Sequence, residues 1–282
     1  MSLAGFLLVF CAALCHAFWN FLLKRINGDA SLTWLFSALT VVIYLPLAIY
    51  FAWDWRGWGW LEIGFIVGSA VIHIGYFLLL QQGYRVGDLS VVYPTARATG
   101  PLISTVLAVL LFGEHLNHWM AAGIALILIG VLNLSRKPGS ASRPTMASMG
   151  FGVLVGLLIG TYTLWDAHAV AALMIPPLLL DYGSNIVRSV LLTPLAIKRW
   201  PTVKLVWQQH RWKVLGIALF SPLAYILVLT AMTFTPLVYV APTREISVLF
   251  SVLLGSLLLD EGYLRHRLKW ALVMLFGVVI LL

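Results

Sequence analysis

The chain has 282 residues, of which 61% are hydrophobic and only 10% charged, and it carries a formal net charge of +8. So apolar a composition, with a positive mean hydropathy, excludes a soluble globular domain and indicates an integral membrane protein. The basic excess is not a nucleic-acid signal, because it falls in short connections between apolar stretches, where it sets membrane orientation.

Crossing about 30 Å of hydrocarbon takes about 20 mostly apolar residues. Breaks at Gly, Pro and charge clusters divide the chain into ten such stretches: 3–23, 32–53, 62–84, 88–112, 116–134, 148–170, 173–197, 212–233, 236–258 and 264–282. The ten-residue alternating segments of a β-barrel are absent, so the expected fold is all-α, a polytopic membrane protein of ten transmembrane helices.

Helix one opens on "MSLAGFLLVF", without the positive n-region of a cleaved signal peptide, and is expected to stay in the protein. Cys11 and Cys15 on it lie four apart, a spacing that suits neither a disulfide nor a metal. Near its end "HAFWN" places Trp19 beside Asn20. The cluster "WDWRGWGW" at 53–60 reads as interfacial anchoring. Helix three adds His73 and Tyr76, which line a cavity or bond between helices.

Helix four carries "VYPTAR" at 92–97, with Tyr93, Pro94 and Arg97, and helix nine carries a near copy, "VAPTRE" at 240–245, with Pro242, Arg244 and Glu245. Each arginine lies about nine residues into its helix, or about 13 Å at 1.5 Å per residue, near the midplane. An ionisable side chain at that depth faces the bundle interior or water. Pro94 and Pro242 free backbone carbonyls one turn or less before the arginines, and are expected to kink the helices as hinges. Helix six has "YTLWD" with Trp165 and Asp166, helix seven has Asp181, Asn185 and Arg188 on one face, and helix eight has Tyr225. Glu114 and Glu261 stand before helices five and ten, where a negative charge suits a helix N-terminus.

Odd-numbered loops hold 14 basic residues, among them Lys24, Arg25, Lys137, Arg199 and Lys213, and the even-numbered loops hold only Arg56. The positive-inside rule then puts both termini outside. Sliding the chain on itself by about 147 aligns Arg97 with Arg244, Ser104 with Ser251, Glu114 with Glu261 and Gly130 with Gly277. "HAFWN" likewise meets "YTLWD". Two five-helix repeats, 1–134 and 148–282, are therefore expected about a linker at 135–147. An odd number of helices inverts the second repeat in the membrane.

The duplicated five-helix unit, the acidic residue in "LFGEHL" and "LLDEGY", and the glycines of "LILIGVLNL" and "LFGVVILL" resemble EamA-type carriers of the drug/metabolite transporter superfamily. The resemblance covers essentially the whole chain. It implies a central cavity lined by helices one, three, four, six, eight and nine, with five and ten peripheral. It also implies termini in the cytoplasm, against the loop charges here.

The expected substrate-binding set is Arg97, Arg244, Tyr93, Trp19, Asn20, Trp165, Asp166, Glu245, Tyr76 and Tyr225. An arginine grips a carboxylate with two parallel hydrogen bonds, and an acid holds an amine or a coupling proton. Against this, the three embedded arginines and three acids balance, which also suits mutual neutralisation within the bundle. No motif of a metalloprotease, hydrolase or nucleotide-binding enzyme occurs, and no cofactor or metal is expected. The expected protein is a secondary transporter in a bacterial inner membrane, monomer or homodimer, surrounded by lipid and binding no nucleic acid. It would export a small polar or amphipathic metabolite such as an amino acid, with proton coupling as an option. The alternative is a membrane-embedded enzyme acting on a lipid-linked substrate.

Overall fold

The structure is a computed structural model that describes residues 1–26, 29–86, 89–134, 146–250 and 264–281. The linker at 135–145, Ser251, Glu261 and the last part of helix nine lie outside the described residues, as do the side chains of Tyr93 and Pro94. All regular structure among the described residues is helical: α1 (Leu3–Lys24), α2 (Ala30–Asp54), α3 (Trp60–Val86), α4 (Leu89–Phe112), α5 (His118–Leu134), α6 (Met146–Ala171), α7 (Pro177–Lys198), α8 (Trp200–Met232), α9 (Leu237–Thr243) and α10 (Leu264–Leu281). Six of these contain spans long and apolar enough to cross a membrane: Leu3–Leu23, Ala30–Asp54, Trp60–Leu80, Thr95–Phe112, Met149–Ala171 and Trp200–Met232. Large apolar side chains face outward, with Leu3 74% and Leu110 71% exposed, as a lipid-facing surface requires. Trp53 and Trp60 stand out beside the α2–α3 connection, at 76% and 91% exposure.

Two helix starts depart from expectation. Helix seven begins at Pro177 rather than near 173, because Met174 adopts φ 55° and Pro176 and Pro177 cannot donate the backbone hydrogen bonds of an earlier turn. The stretch 198–211, expected as a loop, is largely helical. It forms the first third of α8, which bends at His210 (φ −133°, ψ 18°). Thirty-three residues in a straight helix would reach about 50 Å, well beyond the hydrocarbon thickness, so the bend lets the first segment leave the line of the span.

Between lipid-exposed helices there is little hydrophobic drive, and close packing through small residues takes its place. Gly152, Gly156 and Gly160, each four apart on α6, face Thr95, Thr99 and Ile103 of α4; a Cβ at these glycines would come within 2.6, 2.5 and 2.6 Å of those side chains. At the α5–α10 contact a Cβ on Gly277 would fall 2.8 Å from the carbonyl oxygen of Gly123, and Gly130 meets Met274. The other main contacts are α1 with α8, α2 with α7 and with α8, and α3 with α6 and with α7.

Glu114 corrects one local expectation. Its two carboxylate oxygens accept the backbone N–H groups of Leu237 and Val238, both at 2.8 Å, so it caps α9 across the bundle. The start of α5 is capped instead by Asn117, whose Oδ1 accepts from the Met120 amide at 2.8 Å.

Candidate functional site

Pro242 has no N–H to offer a preceding turn, and α9 ends one residue later, at Thr243. Arg244 and Glu245 form a turn, with helix resuming at 246. Tight bonds carry the chain through: Glu245 N to the Pro242 carbonyl at 3.0 Å, and Ser247 N to the Arg244 carbonyl at 3.0 Å. Short-period turns inside a membrane helix are frequent at functional hinges. The corresponding part of α4 remains helical through position 94.

The turn brings Glu245 and Ser247 against α4. Arg97 Nη2 lies 3.1 Å from Glu245 Oε1 and donates to Ser247 Oγ at 3.1 Å, with Arg97 and Glu245 both buried. The second Glu245 oxygen, Oε2, has no hydrogen-bond partner among the described residues.

Arg244 differs from Arg97. It is half-buried, its guanidinium carbon lies 6.0 Å from the Tyr225 ring centre, and among the described residues it makes no ion pair within 4 Å. Tyr225 in turn donates its hydroxyl to Asp166 Oδ2, and Asp166 is wholly buried. One aromatic side chain on α8 therefore lies between the guanidinium of the turn after α9 and the carboxylate of α6.

Around that carboxylate stands an aromatic group. His73 stacks on Tyr162 at 4.1 Å and meets Tyr225 edge-on at 5.5 Å, and Tyr76 meets Tyr162 at 5.7 Å. His73 Nδ1 lies 2.8 Å from the Ser69 carbonyl, which can only accept, so Nδ1 carries a proton.

Arg97, Arg244, Tyr225 and Ser247 line one cavity with His16, closed by Ala12, Ala13, Ala224 and Val228; its empty space is about 290 Å³. His16 Nδ1 accepts from Trp19 Nε1 at 3.3 Å, so a neutral His16 carries its proton on Nε2. Neither His16 nor Ser247 figures in the set expected from sequence. Ser247 had a usable signal, a hydroxyl three residues beyond an intramembrane arginine. His16 had only its place in "HAFWN".

The remaining expected residues lie elsewhere in the bundle. Trp19 supports His16 and packs with the apolar cluster around Phe36 and Ile217, while Asn20 donates to the His16 carbonyl at 2.9 Å. Trp165 stacks on Phe65 at 4.3 Å and donates to the Phe65 carbonyl at 2.8 Å, which fixes α6 against α3. On α7 the polar stripe does not close into an ion pair: Asp181 Oδ2 accepts from Asn185 Nδ2 at 3.0 Å, and Arg188 makes no ion pair within 4 Å among the described residues. Among the described residues no group of three or more His, Cys, Asp or Glu is placed to hold a metal ion.

Residues 3–136 match the model of the EamA-like transporter family. That match spans a little under half of the chain. The family is described as one of transporters, and the six apolar spans among the described residues suit a multi-pass membrane chain. A solved crystal structure is similar to the chain at 13% identity, with a TM-score of 0.77 over 98% of this chain and 97% of that one; the likeness is one of fold.

Proposed function

We propose that this EamA-like protein is a secondary transporter that exports a small polar or amphipathic metabolite bearing a carboxylate, such as an amino acid, by alternating access around the cavity between Arg97 and Arg244. The observation that carries the reading is the inequality of the two arginines. Arg97 is held by Glu245 and Ser247, whereas Arg244 lines the cavity with no ion pair among the described residues. A guanidinium in that state offers a two-pronged grip to a carboxylate. Asp166, bonded to the cavity-lining Tyr225, and Glu245, paired with the cavity-lining Arg97, are the candidates for a substrate amine or a coupling proton, and Pro242 sits at the break that would let α9 hinge.

The ten-helix, two-repeat arrangement, with halves 1–134 and 148–282, belongs to the same proposal. Helix contacts support it, because adding five to each helix number maps the pairs onto one another: α1–α8 becomes α6–α3, α2–α8 becomes α7–α3, and α2–α7 and α5–α10 map onto themselves. Inverted repeats of this kind place a site at the midplane between halves. We place the protein in a bacterial inner membrane, as monomer or homodimer, with both termini outside as the loop charges require. An introduced cysteine in 135–145 that reacts from the outer face would overturn that orientation.

Transport in vesicles tests the site. Metabolite comparison between cells lacking and overproducing the protein supplies the substrate. Arg244→Lys keeps the charge but loses the planar fork, and apparent affinity should then fall about ten- to hundred-fold, the equivalent of roughly 1.5–3 kcal/mol for one charged hydrogen bond. Arg97→Lys should fold and lose less. Unchanged kinetics in Arg244→Lys would remove the carboxylate from the cavity.

A further inference from the structure

The stretch 211–232 can cross the membrane by itself, at about 33 Å, which leaves the first segment of α8, residues 200–210, at the membrane face beyond the bend at His210. The bundle holds this segment in place: Val203 packs with Ile26, Leu32 and Val214, the Trp200 ring meets that of Trp34 edge-on at 6.2 Å, and Arg199 just before it pairs with Asp29 at 2.7 Å. Its outer side mixes aromatic and basic groups. Trp200, Lys204 and Trp207 stand at i, i+4 and i+7 on one helix face, all exposed. Arg211 and Trp212, also exposed, follow directly after the bend, with the Arg211 guanidinium carbon 5.5 Å from the Trp212 ring centre. Neither Lys204 nor Arg211 makes an ion pair within 4 Å among the described residues, whereas Arg199 is already taken by Asp29. From Lys198 to Lys213 the chain holds five lysines and arginines and no acid.

We propose that this segment is a binding site for an anionic phospholipid, with the headgroup phosphate between Lys204 and Arg211 and the glycerol and upper acyl chains against Trp200 and Trp207. Seven residues set the two basic positions about 10 Å apart along the helix, a gap that two long side chains can close around one phosphate. Tryptophan rings belong at the headgroup level of a bilayer, and basic side chains among them draw negative lipids to the same depth. The guanidinium gives the phosphate two hydrogen bonds and the ammonium adds a point charge. A zwitterionic lipid brings its own cation beside the phosphate and gains less from a stretch without acids, while a soluble phosphate gains nothing from the tryptophans. The site depends neither on the central cavity nor on the direction of transport.

Native mass spectrometry of the full-length protein in a neutral detergent, titrated with dioleoyl phosphatidylglycerol or dioleoyl phosphatidylcholine, reads the site. Phosphatidylglycerol should be retained at the lower concentration. Lys204→Gln and Arg211→Gln should each weaken that retention about five-fold, the equivalent of about 1 kcal/mol, and leave phosphatidylcholine unchanged. Trp207→Ala should weaken both lipids, since it removes contact area and no charge. Arg265→Gln removes the same charge at the start of α10, which packs on α5, and should change neither. All four substituted side chains are exposed, so each variant should still elute as one peak in size exclusion. Equal retention of the two lipids would assign the basic residues to membrane orientation or to an acidic protein partner. Displacement of the lipid by millimolar inorganic phosphate would make the ligand a free anion, and a loss in Arg265→Gln equal to that in Lys204→Gln would make the effect one of net charge. Each of these three results would overturn the inference.

Discussion

Arg97 and Glu245 form an ion pair of 3.1 Å between α4 and the break that follows α9. The two charges lie 148 positions apart in the chain, and the acid stands in the turn at 244–245. Each therefore compensates the other where both are buried. Glu245→Ala should leave Arg97 buried with Ser247 as its remaining named partner and destabilise the protein by about 3–5 kcal/mol, read as loss of monodisperse protein in detergent size exclusion. Arg97→Met together with Glu245→Leu should recover most of the yield. A double variant no better folded than Glu245→Ala would show that the pair is not what holds the break against α4.

At the membrane face, Asp29 does two jobs at once. Its Oδ1 accepts the Ser31 amide at 2.9 Å to cap α2, and its Oδ2 meets Arg199 Nη1 at 2.7 Å, tying the start of α8 to the α1–α2 connection. Partial burial would raise its proton affinity, but the Ser31 hydrogen bonds and Arg199 outweigh it and hold the carboxyl below its usual value. A depressed folded-state value means that the stabilisation is complete above the unfolded value of about 3.9 and is lost as pH falls through the lower folded value. Asp29→Asn keeps a cap and loses the ion pair, which is half-exposed and worth at most about 1 kcal/mol; Asp29→Ala loses both, adding roughly 0.5–2 kcal/mol. Unfolding measured at pH 7 should rank the three proteins in that order, and the difference between parent and Asp29→Asn should begin to shrink as pH falls past about 4 and vanish only below the lower folded value. A difference that persists there would mean that Asp29 acts through something other than its charge.

The sequence discloses whatever depends on local composition, and hides what depends on distant partners. Long apolar runs make the spans legible, and "VYPTAR" and "VAPTRE" mark Arg97, Arg244 and Glu245 simply by setting charges deep inside such runs. The helix over 200–210 is hidden because Lys204, Gln208, Gln209 and Arg211 break the apolar run that signals a span, although nothing in them prevents a helix at an interface. Glu114 stands beside α5 in sequence and looks like its cap, yet it serves α9, which the fold carries past it. The hydroxyl of Tyr225 meets Asp166 across 59 positions, and no periodicity on either helix announces that meeting. Arg188 is the reverse case: the stripe of Asp181, Asn185 and Arg188 suggests direct pairing, yet among the described residues Asp181 bonds Asn185 and no ion pair within 4 Å reaches Arg188.

The bond from Tyr225 to Asp166 is the last to test, because it joins the stability of the bundle to its chemistry. Asp166 is wholly buried, and the Tyr225 hydroxyl donates to its Oδ2, with the Ser69 side chain also in reach of the carboxyl group. Tyr225→Phe removes that donor and nothing else from the ring, so the packing against His73 and the face offered to Arg244 persist. The cost should be about 1–3 kcal/mol, the penalty of an unsatisfied buried group, seen in thermal unfolding. Asp166→Leu combined with Tyr225→Phe replaces both partners by apolar groups and should recover part of it. Transport separates structure from coupling. If Asp166 carries the coupling proton, Asp166→Asn should still exchange substrate across vesicles at equal concentrations but should no longer accumulate it against a gradient when a pH difference is imposed. If Glu245 is the carrier, Glu245→Gln should show that pattern and Asp166→Asn should not. Gradient-driven accumulation that survives in both variants would take the proton out of the mechanism and leave the two acids to the substrate amine and to Arg97.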